Sequence, residues 1–131
     1  SDYVPQLNKI LSGEEIVFFQ QLVRRIPIPD NVVNYAVTLS SRTRPNTTQA
    51  TADINEYLSW GAGPRASQYL ILGSKARSLL EGRYAATCND VRAIAKLVLQ
   101  HRIITNFHAE AEGKTSLEII DKLLDTIKEH T

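Results

Sequence analysis

Signals that start helices recur along this chain and leave little room for any other kind of structure. Ser12-Gly13-Glu14-Glu15 has capping-box spacing, and Thr87-Cys88-Asn89-Asp90 and Thr115-Ser116-Leu117-Glu118 open two later segments in cap patterns. Apolar residues then return at the three- and four-residue intervals that gather side chains on one helix face. Ile16, Phe19, Leu22, Val23 and Ile26 form such a stripe in a segment from Ser12 to about Arg25. It ends at Ile26-Pro27-Ile28-Pro29, because each proline drives the residue before it toward extended geometry. Asp30 is placed to cap a second helix to about Arg42, with Val32, Val33, Ala36, Val37 and Leu39 inward.

A third helix runs from Pro64 to near Gly82, a residue suited to a left-handed stop, and carries Ala66, Tyr69, Leu70, Gly73, Ala76 and Leu80 at helical spacing. Val91, Ile94, Ala95 and Val98 are the stripe of a fourth, and Leu117, Ile120, Leu123, Leu124 and Ile127 that of the last. Arg44–Thr51 reads as a polar loop, Asn106–Lys114 as an irregular connection, and Ile54–Trp60 as a short packed element, helical or extended. Trp60 and Tyr69 are expected in the core. No strand pattern competes, so the expected fold is all-α, a small bundle of about five helices.

The turn Gly61-Ala62-Gly63-Pro64-Arg65-Ala66 carries the clearest chemistry. Pro64 suits the first helical position, and Gly61 and Gly63 permit close backbone approach. Arg65 then lies in the first turn, where the positive end of the macrodipole disfavours a cation. A cation held against that field calls for an anion, and helix starts bind phosphates readily. The alternative is an Arg65 paired with a carboxylate such as Glu56, or with solvent.

Ordered blocks along the chain, from about Phe18 to Leu124, tie this turn to a family. They are Trp60-Gly61-Ala62-Gly63-Pro64-Arg65-Ala66, Ala76-Arg77, Thr87 to Val91, His101-Arg102-Ile103, and Asn106-Phe107-His108-Ala109-Glu110-Ala111-Glu112-Gly113. In this order and spacing the chain resembles the C-terminal lid of MoxR-family AAA+ ATPases. The family often has serine where Gly63 stands and proline where Cys88 stands. The resemblance implies that Arg65 is the lid's sensor-2 residue, directed at the ATP phosphates, with Gly61, Gly63 and Pro64 shaping the binding turn.

It further implies an upstream nucleotide-binding domain, with residues 1–11 as a linker or remnant of it and residues 12–131 as the helical lid. The full-length protein is then expected to use ATP and magnesium and to form rings, commonly hexamers. Its expected work is chaperone-like remodelling or maturation of partner proteins, including ones with von Willebrand A domains.

The sequence holds no phosphate loop and no strand ending in paired acidic residues. Alone, this stretch is therefore not expected to hydrolyse ATP or to hold a cofactor. It contains no methionine, which fits a piece of a longer polypeptide. Net charge is only +1, which argues against nucleic acid as a partner, and no apolar run reaches membrane-span length. Cys88, the single cysteine, cannot form an internal disulfide, so a reducing cytoplasmic setting is the expectation. Cys88 also lacks a partner at nucleophile spacing.

Three weaker candidates remain. His108, Glu110 and Glu112 would share one face if extended, but such sets are usually solvated, and no metal is expected. His101 and Arg102 either solvate a helix end or meet a ring neighbour. Arg24, Arg25, Arg42 and Arg44 lie near two helix ends as a basic patch or as solvated charges. The rival functions are a stand-alone helical protein-interaction module and a helix-turn-helix nucleic-acid binder.

Overall fold

The computed structural model describes residues 2–127. In chain order the elements are α1 (Gly13–Arg25), α2 (Asp30–Ser41), α3 (Ala52–Tyr57), β1 (Leu58–Trp60), α4 (Pro64–Leu80), α5 (Cys88–Leu99), β2 (Ile104–Thr105), α6 (Phe107–Ala111) and α7 (Ser116–Thr126). The class is helical, as expected. Two short helices and a two-stranded antiparallel ribbon are added to the expected five-helix bundle. Residues 2–11 form neither helix nor strand.

Side-chain caps explain where most helices begin. Ser12 Oγ accepts from the Glu15 N–H at 3.1 Å, and the Glu15 carboxylate accepts from the Ser12 N–H at 3.2 Å. Thr87 and Asp90 close the same reciprocal box at α5, and Thr115 Oγ1 accepts from the Glu118 N–H at α7. Asn106 Oδ1 caps α6 through the Ala109 N–H at 3.0 Å, which makes helical the segment expected to be irregular. Asp30 is not a cap: Pro29 holds that position without a side-chain bond, and Asp30 is the first residue of α2. After α4, Gly82 takes the left-handed conformation at φ 71°, as its place in the sequence suggests.

α4 and α5 are the most closely associated helices; α2 packs on both, α7 on α5, and α1 on α4. Val32, Leu39, Leu70, Val91, Leu99, Ile120 and Leu123 are among the buried side chains of this core. α4 contributes small buried residues, Ala66, Ser74 and Ser78, and the two serines return their hydroxyls to Ile71 and Lys75 carbonyls of their own helix. Such residues let α5 approach, and a Cβ on Gly73 would stand only 3.1 Å from Ile94 Cδ1. Arg92 joins three helices by donating from one nitrogen to Tyr35 Oη at 2.9 Å and to the Leu124 carbonyl at 2.8 Å.

Several residues expected inside are not. α1 packs on α4 and buries no residue fully, and Ile16 and Phe19 of its expected stripe remain exposed, as do Val17 and Phe18 beside them. Val37, Tyr69 and Leu80 also face outward despite their helical spacing. Trp60 is 68% exposed, not core. Leu58 of the same strand is buried, but the ribbon register is irregular between Leu58 and Trp60, so the two do not keep the common face of a regular strand.

Candidate functional site

The start of α4 is held by the chain that leaves α2. Thr43 Oγ1 donates to the Ser40 carbonyl at 2.6 Å and accepts from the Ala62 N–H at 2.8 Å. Arg44 Nε donates to the Ala62 carbonyl at 2.8 Å, and Ser40 Oγ donates to the Gly63 carbonyl at 3.3 Å. Arg44, expected in a polar loop, instead braces the turn. Gly61 lies against the same strip of backbone: a Cβ there would be 2.5 Å from the Thr43 carbonyl oxygen and 2.5 Å from Arg44 Cα. That contact demands glycine.

Gly63 differs. It occupies the cap position with an extended backbone, and a Cβ on it would meet nothing within 4 Å. Close approach therefore accounts for Gly61 and not for Gly63, and a serine at the second position fits the geometry. Pro64 is the first residue of α4, as expected. Arg65 follows it on the exposed surface and, among the described residues, engages no hydrogen-bond or ion-pair partner. Glu56 does not serve it, since its carboxylate is 2.9 Å from His108 Nε2.

Three arginine-rich or histidine-rich groups lie elsewhere. At the other end of α4, Asp90 is fully buried and accepts from Arg77 at 2.6 Å, from both terminal nitrogens of Arg83, and from the Thr87 N–H at 2.8 Å and Thr87 hydroxyl at 3.0 Å. Burial pushes its carboxyl up, but the bonds from Arg83, the Thr87 backbone, Arg77 and the Thr87 hydroxyl outweigh it and hold the group well below the usual carboxylate range. This network explains two sequence blocks, Ala76-Arg77 and Thr87 to Val91, as structural. Cys88, inside the second block, is buried.

His101 and Arg102 are both exposed, and the Arg102 guanidinium lies 4.6 Å from the centre of the Tyr69 ring. With Leu97 and Val98 they line a shallow cleft between α4 and α5.

Residues 107–111 being helical, His108, Glu110 and Glu112 do not share one extended face. His108 Nε2 instead meets Glu56 at 2.9 Å and Glu112, one turn on, at 3.0 Å, and Glu110 takes no part. Tyr57 donates its hydroxyl to Glu112 Oε2 at 2.6 Å and stacks on the imidazole with ring centres 5.6 Å apart. The bond to Glu112, with desolvation and the nearby acidic charges, raises the Tyr57 phenol to about 12. Glu56 and Tyr57 carried no signal that linked them to His108, because the pairing spans 52 positions.

Chaperone MoxR1 of Mycobacterium tuberculosis is 27% identical over 123 residues, covering 94% of this chain and 33% of its own length. An uncharacterised Bacillus subtilis protein, YeaC, is 23% identical over 125 residues, 95% of this chain and 36% of the relative. A provisionally assigned ATPase from Cytophaga hutchinsonii, solved as a crystal structure, superposes with a TM-score of 0.84 at 25% identity, over 90% of this chain and 36% of that one. The chain thus spans about a third of the length of these proteins. The model of the AAA lid domain matches residues 50–123, more than half of the sequence and the whole of the turn before Arg65, and this chain belongs to that family.

Proposed function

We propose that this lid covers the nucleotide of a MoxR-like AAA+ ATPase and presents Arg65 to the ATP phosphates as sensor 2. The observation that carries this reading is the contrast within one turn. The backbone of residues 61–63 is tied down by Ser40, Thr43 and Arg44, whereas the Arg65 side chain is exposed and without a partner among the described residues. A cation fixed in place at a helix start, against the dipole, suits a phosphate brought from outside.

The residues present fit one side of such a site only. Gly61, Gly63 and Pro64 shape the turn and Arg65 supplies the charge, while ATP and magnesium would be held by a phosphate loop this chain does not contain. Bound nucleotide would supply the γ-phosphate whose presence or loss the lid reports. Arg65 binds and orients without moving a proton, and α4 carries its position into the bundle core through Leu70 and Ser74. A lid arrangement that lets Arg65 reach phosphate is favoured while the phosphate is present and released on its loss. In the full-length protein this coupling would serve a cytoplasmic ring, a hexamer in the family pattern, acting in remodelling or maturation of partners that include von Willebrand A domain proteins. His101 and Arg102 are the residues proposed to face a ring neighbour.

Arg65→Ala in the full-length protein tests the reading. One charge-assisted contact is worth about 1.5–3 kcal/mol, so ATP turnover should fall roughly ten- to a hundredfold while the lid stays folded. Unchanged turnover removes Arg65 from the mechanism.

A further inference from the structure

The Glu56–His108–Glu112 group has a geometry that hydrogen bonding within the protein leaves incomplete. His108 Nε2 stands 2.9 Å from Glu56 Oε1 and 3.0 Å from Glu112 Oε1. A ring nitrogen carries at most one hydrogen, so two carboxylate oxygens converge on a single donor. We propose that these three side chains form a binding site for one divalent first-row transition ion of the zinc class, which staples α3 to α6.

The distances suit such an ion. With metal–ligand bonds of about 2.1 Å, ligands at right angles in an octahedral shell completed by water stand about 3 Å apart, against about 3.4 Å in a tetrahedral one. The two observed nitrogen–oxygen separations match the first value, and all three ligand atoms lie within 4.8 Å of one another. One imidazole with two carboxylates is a donor set for zinc, nickel, cobalt or manganese, with water in the remaining positions. All three residues are exposed, which leaves those positions open to water.

The surrounding contacts orient the ligands as metal sites require. Tyr57 occupies Glu112 Oε2 at 2.6 Å, which leaves Oε1 turned to His108, and its ring stacks on the imidazole at an interplanar angle of 9°. Asn106 Nδ2 donates to the Glu56 carbonyl at 2.7 Å, and the Asn106 N–H donates to the Tyr57 carbonyl at 2.9 Å. These bonds hold the end of α3 against the start of α6. His108 and Glu112, four residues apart, project on one side of α6 toward Glu56.

Calorimetric titration of zinc chloride into the 131-residue chain in a non-chelating buffer at neutral pH is the test. One ion should bind per chain with micromolar affinity and raise the melting temperature. His108→Ala should abolish that binding, and Tyr57→Phe should weaken it about tenfold through Glu112 alone. A His101→Ala/His130→Ala double variant should bind as the parent does. Glu56→Gln, which keeps the size of the side chain, should weaken binding at least about tenfold even if His108→Ala fails to fold. Absence of one-to-one binding, or binding that survives Glu56→Gln or His108→Ala unchanged, overturns the proposal.

Discussion

The two ends of α4 use arginine in opposite ways. At the C-terminal end Arg77 and Arg83 converge on the buried Asp90 carboxylate, which also takes both donors of Thr87. At the N-terminal end Arg65 stands exposed with no partner among the described residues, on a turn braced by its neighbours. In the first case the charges are spent on joining α4 to α5. In the second the backbone is spent on holding a charge available. An arginine in a family motif therefore says little about role until its partners are known.

Removing the carboxylate breaks the closed end and should have the largest effect. Asp90→Ala leaves two guanidinium groups that solvent partly reaches and also deletes half of the α5 capping box, so unfolding free energy should drop by about 2–4 kcal/mol in denaturant melts. The open end depends on backbone fit. Gly61→Ala must displace the Thr43–Arg44 backbone from 2.5 Å contact and should cost about 1–3 kcal/mol, whereas Gly63→Ala should stay within about 0.5 kcal/mol in the same melts. Equal losses at the two glycines would refute the account of the turn.

Acid separates the ends in another way. The Asp90 carboxyl is held below its unfolded value of about 3.9, so its contribution is complete above that value and is lost as pH falls below it. Melts from pH 6 to pH 2 should show a steeper loss for the parent than for Asp90→Asn. Arg65→Ala should change least: stability should remain within about 0.5 kcal/mol of the parent at every pH. A large loss there would mean that Arg65, like Arg77, serves the fold.

The helix boundaries were legible because they are local. Ser12 with Glu15, Thr87 with Asp90, Pro64 and Gly82 act within four residues of the backbone they cap or stop. Asn106 carried the same type of signal for α6, but the short polar run after it lacks the apolar stripe that identifies longer helices. The ribbon was illegible: β2 is two residues long, and its partner lies more than forty positions earlier. Trp60 shows the limit for burial, since an apolar neighbourhood in sequence predicts packing while an irregular register turns the side chain out.

For the candidate site, the sequence by itself determined the turn chemistry: a proline that starts α4, glycines before it, and an arginine set against the helix dipole. Those properties belong to single residues and their immediate neighbours. Only the tertiary structure decided that Gly61 is the required glycine, that Thr43 and Arg44 brace the turn, and that Glu56 is engaged by His108 and does not serve Arg65. Each of these is a distance between segments that are far apart in sequence and that only the packed chain brings together. Hydrophobic patterning specifies which faces meet, but not which polar atoms arrive within 3 Å of one another.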